Sequence, residues 1–384
     1  MSNNPNLHSD TLVIVNQSTG DLTIDVCNAF VGKYKRIILI TGKVSEGITP
    51  LDHSIEVRKI IPYNKSSISK RLKSWCKGSL QIKKHLKCIN ETKDVLYFTN
   101  PPMSYFWADK SGGRFGIVEY DLYPDALRNV NCPEFIIKWW AKRNKRIFAK
   151  CAGIITLSDG MKSQVAQYCN PDIIRVVPNW STIGTPEFVP ENENPFIKSL
   201  GLEGKFIVMY SGNIGYTHNV ETLIKVADNM KSDRDVHFLI IGQGGKKAAL
   251  QEMANNLGLT NVTFHDYLPF NELKYSMNAA SLGVVTLTPS TANASVPSKT
   301  YNNLGYGLPL LNIAPPNTEV EKLLKENACG ISLQPEDIEG ISTFIRKCNQ
   351  DRDYLSMLKG NAKAAGQKFT PANANEYTKI FKHR

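Results

Sequence analysis

Short apolar runs alternate with amphipathic stretches along the chain. In the first half, Thr11–Asn16, Arg36–Thr41, Ile55–Ile61, Asp94–Thr99, Phe115–Tyr120, Gly153–Leu157 and Ile173–Val177 predict strands. Helix-like, cap-led segments lie between most of them, the pattern of a parallel sheet covered on both faces. Pro178-Asn179 ends the series. Trp180 to Lys205, rich in Pro, Asn, Glu and Gly, reads as a linker. A second series follows at Phe206–Tyr210, Val236–Ile241, Val262–Phe264, Leu282–Leu287 and Leu308–Ile313. Between these, Asn219 to Lys231 repeats Val220, Leu223, Ile224 and Ala227 at helical spacing, and Lys246 to Leu257 is stopped by Gly258. The expected fold class is α/β: two Rossmann-like, doubly wound parallel-sheet domains, at residues 1–180 and 181–365. Asp351 to Arg384 reads as helical, and its end, 366–384, is a C-terminal helix that could cross back onto the first domain.

The 384 residues exceed what one hydrophobic core usually serves, in keeping with two domains. The polar start, Met1 to Asp10, lacks a signal peptide's apolar core, and no apolar run reaches the length of a membrane span, so a cytoplasmic location is expected. The eight cysteines form no C-x-x-C pair and no His cluster accompanies them, so neither a zinc site nor a disulfide framework is expected. Charge changes the picture more. Residues 1–180 hold 26 Lys+Arg against 15 Asp+Glu, whereas residues 181–384 hold 20 of each, so the net +11 belongs to the first half. Lys65 to Lys87 has eight basic residues and Lys138 to Lys150 has six, with no acid in either. That points to an anionic partner for one half only: nucleic acid, a membrane surface or a phosphorylated substrate.

In open α/β sheets, ligands sit at the carboxyl ends of the strands. Five places are candidates there. Strand Phe206–Tyr210 leads into Ser211-Gly212-Asn213-Ile214-Gly215, where glycines let backbone approach a ligand. Strand Val236–Ile241 leads into Gly242-Gln243-Gly244-Gly245, a turn that suits a phosphate beside a helix N-terminus. Pro297-Ser298 is a helix opening that places Lys299 in the first turn and Asn302 on the face of Ser298. A cation there opposes the helix dipole, which a bound diphosphate would offset. In the first half, Gly20-Asp21 and the acidic stretch Glu119 to Asp125, with Asp121 and Asp125, are candidates for holding an acceptor hydroxyl. The one Asp-x-Asp, Asp233-Arg234-Asp235, lies at the wrong end of the sheet, so no metal–diphosphate site is expected.

Several stretches resemble glycosyltransferase family 4, in the branch that builds bacterial capsule, colanic acid and O-antigen. They are Thr99-Asn100-Pro101-Pro102, Tyr120 to Asp125, Thr156 to Met161, Val177-Pro178-Asn179-Trp180, Tyr210-Ser211-Gly212-Asn213 and Val296-Pro297-Ser298-Lys299. The resemblance covers roughly residues 10 to 370. It implies a metal-independent, retaining transferase of the GT-B type with a cleft between its domains, and no cofactor. The implied donor is a nucleotide sugar, most simply a uridine one, and the implied acceptor is a lipid-linked saccharide. The implied roles are Lys299 and Asp121 in catalysis, Gly212, Asn213, His218, Gly242, Gly244, Ser298, Lys299 and Asn302 at the donor, and Gly20, Asp21 and Asp125 at the acceptor. The chain departs from the family pattern at Ala294 and Asn302, where two Glu are usual, and at Asn213 and His218, where Arg and Lys are usual.

Two readings follow: an enzyme, or a catalytically degenerate partner subunit of the same fold. Nucleic-acid binding lacks any matching motif. The apolar positions Ile68, Leu72, Trp75, Ile82, Leu86 and Ile89, with Lys and Arg between, fit either a helix packed on the sheet or one lying on anionic lipid. The second option makes the protein peripheral at the inner face of the membrane.

Overall fold

The computed structural model describes residues 9–64, 66–110, 112–130, 132–215, 218–289 and 296–381. The chain divides into two compact units, one of Met1–Thr182 with Pro371–Arg384, the other of Ile183–Thr370.

The first unit is built on a seven-stranded sheet in the order Glu56–Lys59, Arg36–Thr41, Thr11–Val15, Lys93–Phe98, Phe115–Glu119, Gly153–Thr156, Ile174–Val176. All its neighbours are parallel. Chain order reverses between Thr11–Val15 and Lys93–Phe98, so the loops after these two strands flank the switch point where open sheets bind ligands. Buried Tyr97, Ile117 and Ile154 of the strands pack with Trp140, Ile147 and Phe148 of the helix Glu134–Phe148. The short 3-10 helix Pro371–Lys379 also belongs to this unit. It contributes Tyr377, which bonds Tyr120 hydroxyl to hydroxyl at 2.9 Å and stands edge-on to Trp180.

The second unit has a six-stranded parallel sheet: Val262–His265, Val236–Ile241, Phe206–Ser211, Leu282–Thr286, Leu310–Ile313, Gly330–Leu333. Strand alternation sends Val208, Phe238 and Ile240 to one face, against Leu223, Ile224 and Ile345, and sends Ile207, Met209 and Leu239 to the other, against Phe196, Ile197 and Met277. The order reverses between Phe206–Ser211 and Leu282–Thr286, the second switch point.

Two features differ from the sequence reading, and a third decides between its two options. The stretch read as a linker holds the helix Pro195–Leu200, capped by Asn194, and it begins at a fully buried Trp180 whose indole N–H donates to Asp25 at 2.7 Å. The strand Gly330–Leu333 went unread. The helix Ile68–Lys87 turns Trp75, Ile82 and Leu86 inward, into the core of the first unit. These inward positions pack on the sheet, while Leu72 and Leu80 face solvent.

Candidate functional site

At the second switch point two glycine turns close on one another. Gly212 donates its N–H to Ile241 at 2.9 Å, Gly242 donates to His265 at 3.0 Å, and Ile214 donates to Gln243 at 2.9 Å. A Cβ on Gly242 would sit 1.9 Å from the Gly212 carbonyl oxygen, with φ at +153°, so only glycine allows this approach. Gly244 meets the Ile214 carbonyl in the same way.

The helix Ser298–Gly305 begins directly after Pro297, with no side-chain cap on its first N–H groups. It carries Lys299 to the Gly212 turn: a Cβ on Gly212 would lie 2.9 Å from the Lys299 Nζ. The ammonium donates to the Tyr210 hydroxyl at 2.9 Å and lies 4.1 Å from the centre of its ring. Tyr210 is fully buried and donates in turn to the Asn213 carbonyl at 2.7 Å. Burial, which penalises the charged form, pulls the Lys299 pKa down to about 7. Ser298 is exposed, and Asn302, one turn on, is half-buried on the same helix.

His218 belongs to the same cluster. Burial, then the charges of Lys299 and Lys246, pull its pKa down to about 4, so it is neutral at pH 7. Asn213 is exposed and uncharged. Lys246, which sequence reasoning missed, is a further cation beside His218, paired with Glu221. It stands after the Gly242 turn, donates its N–H to Ile214 at 3.1 Å, and sets its Nζ 2.7 Å from the His218 carbonyl and 2.5 Å from Glu221. Its position just past a glycine turn was the available signal. Ala294 lies outside the described residues. Asp233 of the Asp-x-Asp is held by Arg346 at 3.1 Å.

In the first unit, Gly20 precedes the helix Asp21–Ala29 at that unit's switch point. Asp21 is already engaged, accepting the Gly47 N–H at 2.8 Å. The acidic stretch follows the next strand outward, Phe115–Glu119. Asp121 is exposed, and Asp125 accepts the Tyr168 hydroxyl at 2.6 Å. Glu119 is fully buried, and among the described residues neither of its carboxylate oxygens has a hydrogen-bond partner. Burial first, then Asp121 and Asp125, raise its pKa well above the ordinary carboxylate value. Between these acids, Tyr123 is fixed from behind: its carbonyl accepts Asn144 Nδ2 at 2.7 Å and its ring stacks on Trp140 at 5.8 Å.

Two parallel α/β sheets in tandem, each with a switch point, define the GT-B class of glycosyltransferase fold. Within the second unit, residues 192–365 match the family model described as "Glycosyl transferases group 1". WcaI of Escherichia coli strain K12, assigned as a glycosyl transferase to colanic acid biosynthesis, is 32% identical over 44% of this chain and 42% of its own length. WbjE of Pseudomonas aeruginosa, described as a glycosyltransferase, is 23% identical over 62% of this chain and 58% of its own. The matched stretches thus span about two-fifths to three-fifths of these relatives. The fold itself matches end to end. HepE from Anabaena, solved with UDP and glucose, superposes with a TM-score of 0.70 over 97% of this chain and 98% of its own, at 16% identity.

Proposed function

We propose that the chain is a retaining, metal-independent glycosyltransferase of bacterial surface polysaccharide synthesis. Its donor is a uridine diphosphate sugar and its acceptor a lipid-linked saccharide at the cytoplasmic face of a membrane. The observation that carries the reading is Lys299, an ammonium desolvated against Tyr210 where two glycine turns meet at the switch point. A preorganised cation out of water is what a leaving diphosphate requires. HepE binding UDP and glucose in the same fold supports the choice of donor.

In this reading the sugar C1–O bond to the diphosphate breaks as C1 bonds to the acceptor oxygen on the same face. The acceptor proton passes to the leaving phosphate oxygen, so no protein nucleophile is needed. Lys299, the first-turn N–H groups of its helix and the glycine-turn backbone take up the developing charge. Ser298 and Asn302 hold the nucleotide, with Asn213 and His218 beside it as neutral donors. Asp121 and Asp125 orient the acceptor hydroxyl, and Gly20 and Asp21 line its approach.

A panel of nucleotide sugars tests this by thermal shift followed by assay of nucleotide release. A uridine diphosphate sugar should stabilise the protein most and be turned over. Stabilisation without turnover of any donor would favour the degenerate-partner reading. No stabilisation by any uridine nucleotide would overturn the donor assignment.

A further inference from the structure

The helix Glu134–Phe148 has two faces with different chemistry. Inward, Ile137, Trp140, Asn144, Ile147 and Phe148 are buried. Outward, Phe135 is 73% exposed and Trp139 57% exposed. These two, with Lys142 and Arg146, are spaced at i, i+4, i+7 and i+11 and so form one stripe, which Lys138 and Lys145 flank. Lys138, Lys142, Lys145 and Arg146 are all exposed. The facing acids are Glu134 at the helix start and Asp109, which pairs with Arg146 at 2.8 Å. Two large aromatics left in water on a helix ringed by cations cost solvation that an interfacial environment restores.

We infer that this outer face docks the protein on an anionic lipid bilayer, with Phe135 and Trp139 as the inserted anchors. Charge complementarity fixes the occupant. All of the net +11 lies in residues 1–180, and this helix has no acid from Lys138 to Lys150. The apolar anchors favour lipid over nucleic acid, whose phosphates would be met by cations alone. The helix Ile68–Lys87 of the same unit also exposes an apolar side chain among cations, with Leu80 60% exposed and Lys73, Lys77 and Lys84 exposed.

The same helix holds the candidate acceptor loop. Asn144 and Trp140 on its inner face fix Tyr123, between Asp121 and Asp125. Docking would therefore set that loop about one helix diameter, ~10–12 Å, from the lipid surface. The inference deepens the proposed use of a lipid-linked acceptor. Its test reads lipid binding alone, so it can fail while nucleotide-sugar turnover stands, and the reverse.

The test is sedimentation of the full chain with phosphatidylcholine vesicles, with and without phosphatidylglycerol. Binding should need phosphatidylglycerol and weaken as salt rises. Phe135→Ala/Trp139→Ala should weaken it by at least about tenfold, as should Lys138→Gln/Lys142→Gln/Lys145→Gln. Phe188→Ser, which removes an 83% exposed aromatic from the other unit, should leave binding unchanged. Because Trp139 also packs edge-on to Phe106, Phe135→Ala alone serves if the double variant loses its melting transition. Quenching by brominated phosphatidylglycerol should fall sharply in Trp139→Phe. Unchanged binding by the Phe135 and Trp139 variants, equal binding to neutral vesicles, or binding to transfer RNA but not to vesicles would each overturn the inference.

Discussion

The Nζ of Lys299 lies 2.9 Å from the Tyr210 hydroxyl, which it meets as donor because that hydroxyl gives its own proton to the Asn213 carbonyl. The ammonium is thus held by a neutral oxygen and an aromatic face, and burial is the cause of its lowered pKa. It is poised to gain a counter-anion.

Proton linkage follows. With its pKa at about 7, Lys299 carries only part of its proton at neutral pH. A bound diphosphate restores the full charge, so UDP should bind with proton uptake near pH 7–8 and more tightly as pH falls toward 6. Titration calorimetry in two buffers of different ionisation enthalpy reads the uptake directly. For stability the sign is opposite. The unfolded chain keeps this proton up to the ordinary lysine range while the folded chain has shed it, so Lys299 makes stability rise with pH between about 7 and 10. Lys299→Met should flatten that part of the profile.

The pKa of His218, at about 4, is set first by burial and then by Lys299 and Lys246. Lys246→Met removes one like charge, so the histidine pKa should rise part of the way toward its ordinary value. Imidazole proton shifts followed against pH check this. No change would mean that Lys246 does not face this site.

Gly242→Ala places a methyl where the Gly212 carbonyl stands, at a φ that disfavours alanine. The expected cost is about 1–3 kcal/mol of stability, read from urea unfolding, together with loss of UDP binding. Gly360→Ala meets nothing within 4 Å and serves as the control.

Among the described residues, no group of three or more His, Cys, Asp or Glu is arranged to hold a metal ion. The metal-independent reading proposed above predicts that activity survives excess EDTA. Complete loss that magnesium or manganese restores would contradict the metal-independent reading.

Much of the fold was legible. Val236–Ile241 read correctly to the residue because its apolar run is bounded by Asp235 and Gly242. The opening at Pro297-Ser298 marked the helix that carries Lys299. Gly330–Leu333 was missed because four residues that include Gly and Ser hold too little apolar signal. Side-chain facing was less legible still. Trp139 and Trp140 are adjacent, and periodicity does not say which of them meets water. The meeting of Lys246 with His218 is a tertiary event between residues 28 apart. The inward turn of the Ile68–Lys87 stripe depended on sheet packing, which spacing does not encode.

The most direct measurement compares nucleotide release by Lys299→Ala with that of the parent, using the uridine diphosphate sugar that best stabilises the parent. Removing a preorganised donor aimed at developing charge typically costs on the order of 10²–10³ in rate. That loss is predicted for Lys299→Ala with little change in melting temperature, while Lys225→Ala, exposed on the helix Glu221–Asn229, should keep the parent rate. Full activity in Lys299→Ala would contradict the account.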